Sequence, residues 1–367
     1  MPLDLVTPTK IRLPKGIESS SLFKDVEKAL YYKDLRVTHE YRRWLQILKD
    51  EEKRVQSRST RKPHWFIQRY GEYLLKDKIK ELESQQHKTV LLKDQDGYYT
   101  YSGLQNQLKE LLNEKVVRHY ELPEWGLIPW KKKPFEPRWF QQKSLDLLVP
   151  DDLSRSHGTV SLGTGLGKSF LMALIIQKIG LPSVVVVPTL SIANQCLKDF
   201  KEWFGDKMVG QYFDSKKKPE KFIVVAVAKS LMNVVPGSED WDILSKKPIL
   251  LVDEVHTAPP DSLSSVLFGL FEHTPYRYSV SGTVFRDDGL DLLLKGITND
   301  VVFELTVEQG INGGFLTPLK FFQYKIRSES NFWHAESLEM NKEHLRRNPL
   351  VNRHAAKVAM EAVTKGR

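Results

Sequence analysis

The feature that most limits the fold of this chain is the glycine-rich segment Ser161-Leu-Gly-Thr-Gly-Leu-Gly-Lys-Ser169. An apolar run of strand length precedes it, and a stretch with helical spacing of apolar residues follows it. Glycines allow backbone conformations that side chains forbid, so the loop's N–H groups can surround a phosphate at the start of the helix. The segment therefore predicts a nucleotide site whose residues are Gly163, Thr164, Gly165, Leu166, Gly167, Lys168 and Ser169.

Two side chains of this loop have distinct predicted tasks. Lys168 supplies a positive charge for the β- and γ-phosphates of a nucleotide, and the Ser169 hydroxyl is a candidate ligand for Mg²⁺. The loop therefore predicts ATP and Mg²⁺ as cofactors.

A second motif, Leu250-Leu-Val-Asp-Glu-Val-His256, places two acids directly after an apolar run of strand length. In a parallel sheet the carboxyl ends of the strands face the ligand crevice, so both acids are expected beside the phosphates. Asp253 is predicted to hold Mg²⁺, and Glu254 to orient and deprotonate the attacking water. We expect His256 to couple the state of the nucleotide to the next motif.

Together these motifs resemble superfamily 2 helicases, many of which lack the glycine that Leu162 replaces in the common phosphate-loop pattern. Phe135-Glu-Pro-Arg-Trp-Phe-Gln-Gln142 is similar to the segment of that family that reads adenine. The resemblance implies that Phe135 stacks on the base, with Arg138 and Gln141 nearby, and that the Gln141 amide bonds the adenine edge.

Further segments extend the resemblance to the nucleic-acid and coupling motifs. Tyr278-Ser-Val-Ser-Gly-Thr283 is similar to the motif that links hydrolysis to strand movement, which implies coupling roles for Ser281, Gly282 and Thr283. Val284-Phe-Arg-Asp-Asp-Gly289 resembles a loop of XPB-like helicases. The resemblance implies that five residues contact nucleic acid: Pro188, Thr189, Lys229, Ser230 and Arg286. The pattern is most similar to UvsW-like phage branch-migration helicases.

The chain is predicted to have an α/β fold with three parts. Strands near residues 158, 184, 222, 248, 276 and 301 alternate with helices, which is typical of a parallel doubly wound sheet. We assign residues 126–316 to a RecA-like ATP-binding domain and residues 1–125 to a small α+β accessory domain. Residues 317–367 are expected to begin a second RecA-like domain, most of which the sequence lacks.

Within the accessory domain the sequence predicts a strand at 9–13, an extended piece at 35–37 and a charged helix at 39–56. A hairpin is expected around Asp94-Gln-Asp-Gly97, followed by a helix that Ser102 caps.

Basic and aromatic residues are interleaved in residues 51–70. One interpretation is a nucleic-acid surface in which cations meet phosphates and aromatic rings meet exposed bases. The other is a solvated loop followed by a helix whose aromatic side chains face the core. On the first interpretation the candidate contacts are Arg58, Arg61, Lys62 and Trp65.

Composition adds limits of its own. The formal net charge of +9 suits a polyanionic partner, which we expect to be branched, forked or single-stranded DNA. One cysteine, Cys196, excludes an intramolecular disulfide framework. No apolar run reaches the ~18 residues needed to span a bilayer, and no secretory signal is apparent, so we expect no membrane partner and a cytoplasmic protein. For a phage-encoded protein this is the cytoplasm of the bacterial host.

The leading hypothesis is an ATP-dependent DNA helicase or translocase that acts on branched or forked DNA in replication, recombination or repair. An RNA helicase or a restriction-type duplex translocase remains an alternative. A different class, a DNA-binding scaffold with weak ATPase activity, also remains open. The sequence leaves the oligomeric state undetermined.

Overall fold

The computed structural model describes residues 2–57, 62–132, 134–152, 155–254, 266–282, 291–318 and 349–364. They belong to two compact units, Met1–Leu316 and Thr317–Arg367. Among these described residues, no helix is both long enough and apolar enough to cross a bilayer.

The first part of the larger unit contains a five-stranded mixed sheet, in the order β5-β6-β2-β1-β7, and a two-stranded sheet, β3-β4. The strands are β1 Leu3–Thr7, β2 Lys10–Arg12, β3 Tyr31–Lys33, β4 His87–Thr89, β5 Leu92–Asp94, β6 Gly97–Tyr101 and β7 Val116–Arg118. The helices are α1 Phe23–Ala29, α2 Leu35–Gln56, α3 Trp65–Gln85 and α4 Gln105–Leu112. We call this part the accessory domain.

The start of α2 differs from the sequence prediction. The prediction of an extended piece at 35–37 is wrong. These residues form the first turn of α2, and Asp34 is the N-cap of that helix. Its carboxylate accepts hydrogen bonds from the backbone N–H groups of Arg36 (3.1 Å) and Val37 (3.4 Å). The predicted hairpin is present, with Asp94 paired to Gly97.

An eight-stranded sheet forms the second part of this unit, in the order β11-β10-β12-β9-β13-β14-β8-β15. All of its neighbouring pairs are parallel except β10 and β11. The strands are β8 His157–Leu162, β9 Ser183–Val187, β10 Val209–Phe213, β11 Lys216–Lys217, β12 Ile223–Val227, β13 Ile249–Asp253, β14 Tyr276–Ser281 and β15 Val301–Leu305. The predicted α/β class with a RecA-like sheet and a small mixed-sheet domain is confirmed.

Helices cover both faces of this sheet. They are α5 Trp139–Leu148, α6 Lys168–Ile179, α7 Leu190–Phe204, α8 Ala228–Leu231, α9 Glu239–Ser245, α10 Asp291–Thr298 and α11 Val307–Asn312. The central strands β9, β12 and β13 are buried along their whole length, which explains their near-continuous Val, Ile and Leu. Helix α12, Pro349–Thr364, lies in the smaller unit.

The accessory domain packs against the amino end of the large sheet. Arg277, at the start of β14, is only 5% exposed, and its guanidinium donates hydrogen bonds to the Pro8 carbonyl and to the Ser102 hydroxyl (2.7 Å). The rings of Tyr101 and Phe268 stack at 4.0 Å between centroids. Apolar side chains of both parts form one continuous core cluster. The junction is therefore part of the packed interior of the unit.

Candidate ATPase and nucleic-acid sites

The predicted nucleotide motifs meet at the carboxyl ends of three neighbouring strands. Strand β14 lies between β13 and β8, and it pairs Val280 with Asp253 on one side and Ser281 with Ser161 on the other. The phosphate loop, the acidic pair and the Ser-Gly motif therefore face the same edge of the sheet, although 85 residues separate Lys168 from Asp253 (253 − 168).

The phosphate loop has the backbone that its glycines predict. Gly165 and Gly167 have φ angles of 88° and 80°, in the left-handed region that favours glycine, and Gly167 is the N-cap of α6. Gly163 is required for another reason: an added Cβ would lie 2.7 Å from Cγ2 and 2.8 Å from the backbone nitrogen of Val307. Thr164 and Gly165 are exposed, and Leu166 is fully buried.

Glu254 is held by the other motifs. Its Oε1 lies 2.7 Å from Lys168 Nζ. Its Oε2 accepts hydrogen bonds from the Gly282 N–H (3.0 Å) and the Ser281 hydroxyl (3.3 Å). One carboxylate thus contacts both the phosphate-loop lysine and the predicted coupling motif, so a phosphate that attracts Lys168 would change the surroundings of Glu254.

Asp253 is the second acid of the site, and it is 7% exposed. Burial, followed by the negative charge of Glu254, raises its pKa to about 6, while the positive charge of Lys168 acts in the opposite direction. Among the described residues, its Oδ1 has no hydrogen-bond partner. A buried carboxylate oxygen without a partner is a suitable ligand for a hard divalent cation, so Asp253 with the half-buried Ser169 fits the predicted Mg²⁺. No group of three or more potential His, Cys, Asp or Glu ligands occurs in the described part of the chain.

The pKa of Asp253 gives a prediction about stability. The ordinary value is 3.8 and the folded value is about 6, so ionisation costs the folded state stability as the pH rises between them. Each pKa unit corresponds to about 1.4 kcal/mol, so the cost above pH 6 is roughly 3 kcal/mol. We expect Asp253→Asn to stabilise the protein by up to this amount at pH 8 without Mg²⁺.

The measurement is urea unfolding of both proteins at pH 8 and at pH 4. At pH 4 the wild-type carboxyl is already largely protonated in the folded state, and the gain should mostly disappear. Equal or lower stability of Asp253→Asn at pH 8 would contradict the prediction. Asp199→Asn is the control.

The proposed adenine segment lies beside the phosphate loop. Gln141 is almost fully buried, and its Nε2 donates to the carbonyls of Leu166 (3.2 Å) and Gly167 (3.3 Å). Its Oε1 accepts a hydrogen bond from the Arg138 N–H (3.0 Å). The sequence did not predict this support of the loop, because nothing in a single sequence pairs position 141 with 166. The adenine role of Gln141 stays a prediction.

Two aromatic contacts complete this region. The half-exposed ring of Phe135 lies 4.2 Å from that of Phe170, measured between centroids. The Arg138 guanidinium lies 5.6 Å from the centroid of Phe315. Phe135 therefore retains an open face on which a base can stack.

The candidate nucleic-acid residues of the large sheet follow two paired strands. Val187 of β9 pairs with Val227 of β12, so Pro188-Thr189 and Lys229-Ser230 leave the sheet at the same edge. The Thr189 hydroxyl caps α7 by accepting the Ile192 N–H (3.4 Å). Lys229 is exposed. Since β13 neighbours β9, these residues lie on the side of the acidic pair away from the phosphate loop.

Several predicted site residues lie outside the described part of the chain. These are His256, Thr283, Arg286, Arg58 and Arg61, and the side chain of Trp65 is likewise not described. Lys62 is exposed. The sequence also did not identify the wall beside the phosphate loop, where Leu316 Cδ2 would lie 3.0 Å from a Cβ at Gly165.

The comparisons agree with this arrangement. Residues 134–286 match the family model described as the res subunit of type III restriction enzymes. This range contains the phosphate loop, the acidic pair and the Ser-Gly motif, which are the segments that resemble superfamily 2 helicases. The described strands and motifs of the site lie within or directly beside this range.

Two curated relatives cover more of this chain. A putative helicase of Sulfolobus islandicus filamentous virus is 24% identical over 239 residues, 62% of this chain and 42% of its own length. The DNA 3'-5' translocase XPB2 of Sulfurisphaera tokodaii is 26% identical over 242 residues, 64% of this chain and 50% of its own length. The chain thus spans about half the length of the curated relatives it matches.

The fold is also similar to a solved structure. The UvsW helicase of bacteriophage T4 aligns over 83% of this chain and 100% of that one, with a TM-score of 0.55 and 16% identity. An alignment over 83% of the chain is longer than residues 126–367, so this likeness in fold includes at least part of the accessory domain.

Proposed function

We propose that this chain hydrolyses ATP to move along DNA, as the motor and accessory parts of a helicase or translocase for branched or forked DNA. The observation that supports this most directly is the meeting of Lys168, Asp253, Glu254 and the Ser281-Gly282 motif at three adjacent strand ends. A Mg²⁺ ion held by Asp253 and Ser169 would offset the negative charge of the phosphates.

In this proposal Glu254 orients the attacking water and accepts its proton. Lys168 moves from Glu254 towards the phosphates, because the negative charge there competes for its ammonium group. Glu254 remains bonded to the Gly282 N–H and the Ser281 hydroxyl, so these two residues sense whether Lys168 is present. Phe135 stacks on the adenine.

DNA as the partner rests on separate support. The relative XPB2 is named as a DNA translocase, and the chain carries a formal charge of +9. Exposed Lys229 and its neighbours leave the sheet beside the acidic pair, which would place a DNA backbone close to the hydrolysis site. A restriction-type duplex motor is a second candidate, since the matched family model is that of a restriction subunit.

The test is the ATP hydrolysis rate without nucleic acid and with single-stranded DNA, forked DNA, linear duplex DNA or RNA. Stimulation that is greatest with forked DNA supports the proposal. Greatest stimulation by linear duplex indicates the restriction-type motor, and greatest stimulation by RNA indicates an RNA helicase. If no nucleic acid changes the hydrolysis rate, the result favours the remaining alternative, a DNA-binding scaffold with weak ATPase activity.

Lys229 allows a narrower prediction. If it contacts a DNA phosphate, Lys229→Ala should weaken binding of all DNA sequences similarly and reduce the slope of log K against log salt by about 1. Fluorescence anisotropy over a range of salt concentrations measures this. Lys207→Ala is the matched control, because Lys207 is an exposed lysine just before β10, at the opposite end of the sheet. An unchanged slope for Lys229→Ala would exclude this contact.

A further inference from the structure

A cavity of about 330 Å³ lies where the accessory domain meets the amino end of the large sheet. Strand β7, the start of α4, the segment before β8 and the turn between α10 and β15 contribute to its lining. His157 begins β8 and lines this cavity, whereas Leu162 ends β8 next to the phosphate loop. The cavity and the ATP site are therefore at opposite ends of one strand.

Positive charge dominates the walls. Arg118 and Arg155 both line the cavity, and among the described residues no carboxylate lies within salt-bridge distance of either guanidinium. The lining carboxylate, Asp300, is already compensated by Lys295 (3.1 Å) and by the Asn106 amide (2.5 Å). The Arg118 guanidinium lies 5.6 Å from the centroid of the Tyr120 ring, a contact that leaves its charge uncompensated, so both guanidinium groups can attract an anion.

The other polar groups of the cavity are neutral. The His157 and Gln105 side chains are 2.6 Å apart at their Nε2 atoms. Burial, followed by the positive charges of Arg277, Arg118 and Arg155, lowers the pKa of His157 to about 3, so its ring is uncharged near pH 7. The ring can therefore both donate and accept hydrogen bonds.

The cavity wall includes a buried polar atom without a hydrogen-bond partner in the described part of the chain, the Oδ1 of Asn299. Asn299 is 5% exposed and lines the cavity. A buried acceptor without a donor costs about 1–3 kcal/mol. The backbone of Asn299 has a φ of 69°, which asparagine tolerates better than most residues. A ligand that donates a hydrogen bond to Oδ1 would remove this cost.

We propose that this cavity binds a small phosphate-bearing ligand of mononucleotide size, distinct from the ATP of the motor site. The phosphate lies between Arg118 and Arg155, and a hydroxyl or base N–H of the ligand donates to Asn299 Oδ1. The volume is within the ~300–1,000 Å³ of small-molecule sites. Two arginines and several amides suit an anion that also carries polar edges.

The test uses the full chain with Lys168→Ala, which weakens nucleotide binding at the phosphate loop. Isothermal titration with adenosine monophosphate should still show binding to one site. Adding Arg118→Gln should weaken this binding about tenfold or more, because one charge-assisted hydrogen bond is lost. Arg118 is exposed, so this change should leave the thermal unfolding temperature unaltered. Arg43→Gln, also exposed but on α2, is the matched control.

Two further titrations distinguish the parts of the ligand. Inorganic phosphate should compete with adenosine monophosphate but bind more weakly, and unphosphorylated adenosine should not bind measurably. No binding by the Lys168→Ala protein at millimolar adenosine monophosphate would overturn the proposal. Binding that Arg118→Gln leaves unchanged, or that inorganic phosphate matches in strength, would overturn it as well.

Discussion

Glu254→Gln is expected to lower the rate constant of ATP hydrolysis by about 10²–10⁴-fold, the usual contribution of a general base. Glutamine keeps the shape of the side chain and can still bond the Gly282 N–H, so the site should remain assembled. It cannot accept a proton from water, and it releases Lys168 from the ion pair at 2.7 Å. ATP binding should therefore be unchanged or tighter.

Single-turnover hydrolysis and equilibrium binding of a fluorescent ATP analogue separate these two effects. Glu304→Gln is the matched control, since Glu304 is exposed on neighbouring β15 and outside the site. Hydrolysis by Glu254→Gln within tenfold of the wild type would show that another group accepts the proton. Loss of ATP binding would show that Glu254 mainly supports the loop.

Gly103→Ala is expected to destabilise the larger unit by about 3 kcal/mol, because overpacking against atoms that cannot turn aside is costly. An added Cβ would lie 2.3 Å from the carbonyl oxygen of Lys295 and 2.5 Å from that of Gly296. Both are backbone atoms of α10, so the accessory domain and the large-sheet part would have to move apart. Chemical unfolding measures the change.

Gly269→Ala is the control for this substitution. The nearest atom to a Cβ at Gly269 is a Trp241 ring carbon at 4.0 Å, which is ordinary contact. Its free energy of unfolding should change by well under 1 kcal/mol. If Gly103→Ala unfolds at the same denaturant concentration as wild type, the close approach at the junction is relieved by a shift of the backbone.

The central strands of the large sheet could be predicted because burial on both faces requires a continuous run of apolar residues in the sequence. Strands β9, β12 and β13 are apolar throughout and appear where their runs predict. Strand β10 was not predicted, since Gly210 and Gln211 interrupt its apolar run. Gly210 is nevertheless needed, because a Cβ there would lie 2.6 Å from Lys221 Cγ. A close approach of that kind is invisible in a single sequence.

In the candidate site, too, local motifs could be predicted from the sequence and tertiary contacts could not. The phosphate loop and the acidic pair are local patterns whose chemistry follows from adjacent residues, and parallel topology brings them together. The contact of Gln141 with the loop carbonyls and the wall at Val307 depend on tertiary packing. No spacing in the sequence connects those positions, so only the folded structure reveals them.

Strand β14 has a consequence for how force can pass through the molecule. Near its start, Arg277 donates a hydrogen bond to Ser102 of the accessory domain. At its end, the Ser281 hydroxyl donates a hydrogen bond to Glu254. Because β14 is hydrogen-bonded to β13 on one side and to β8 on the other, we expect its length to change little under load. A load carried by the accessory domain would therefore reach the proposed hydrolysis site along about 13 Å of extended chain, the rise from Arg277 to Ser281.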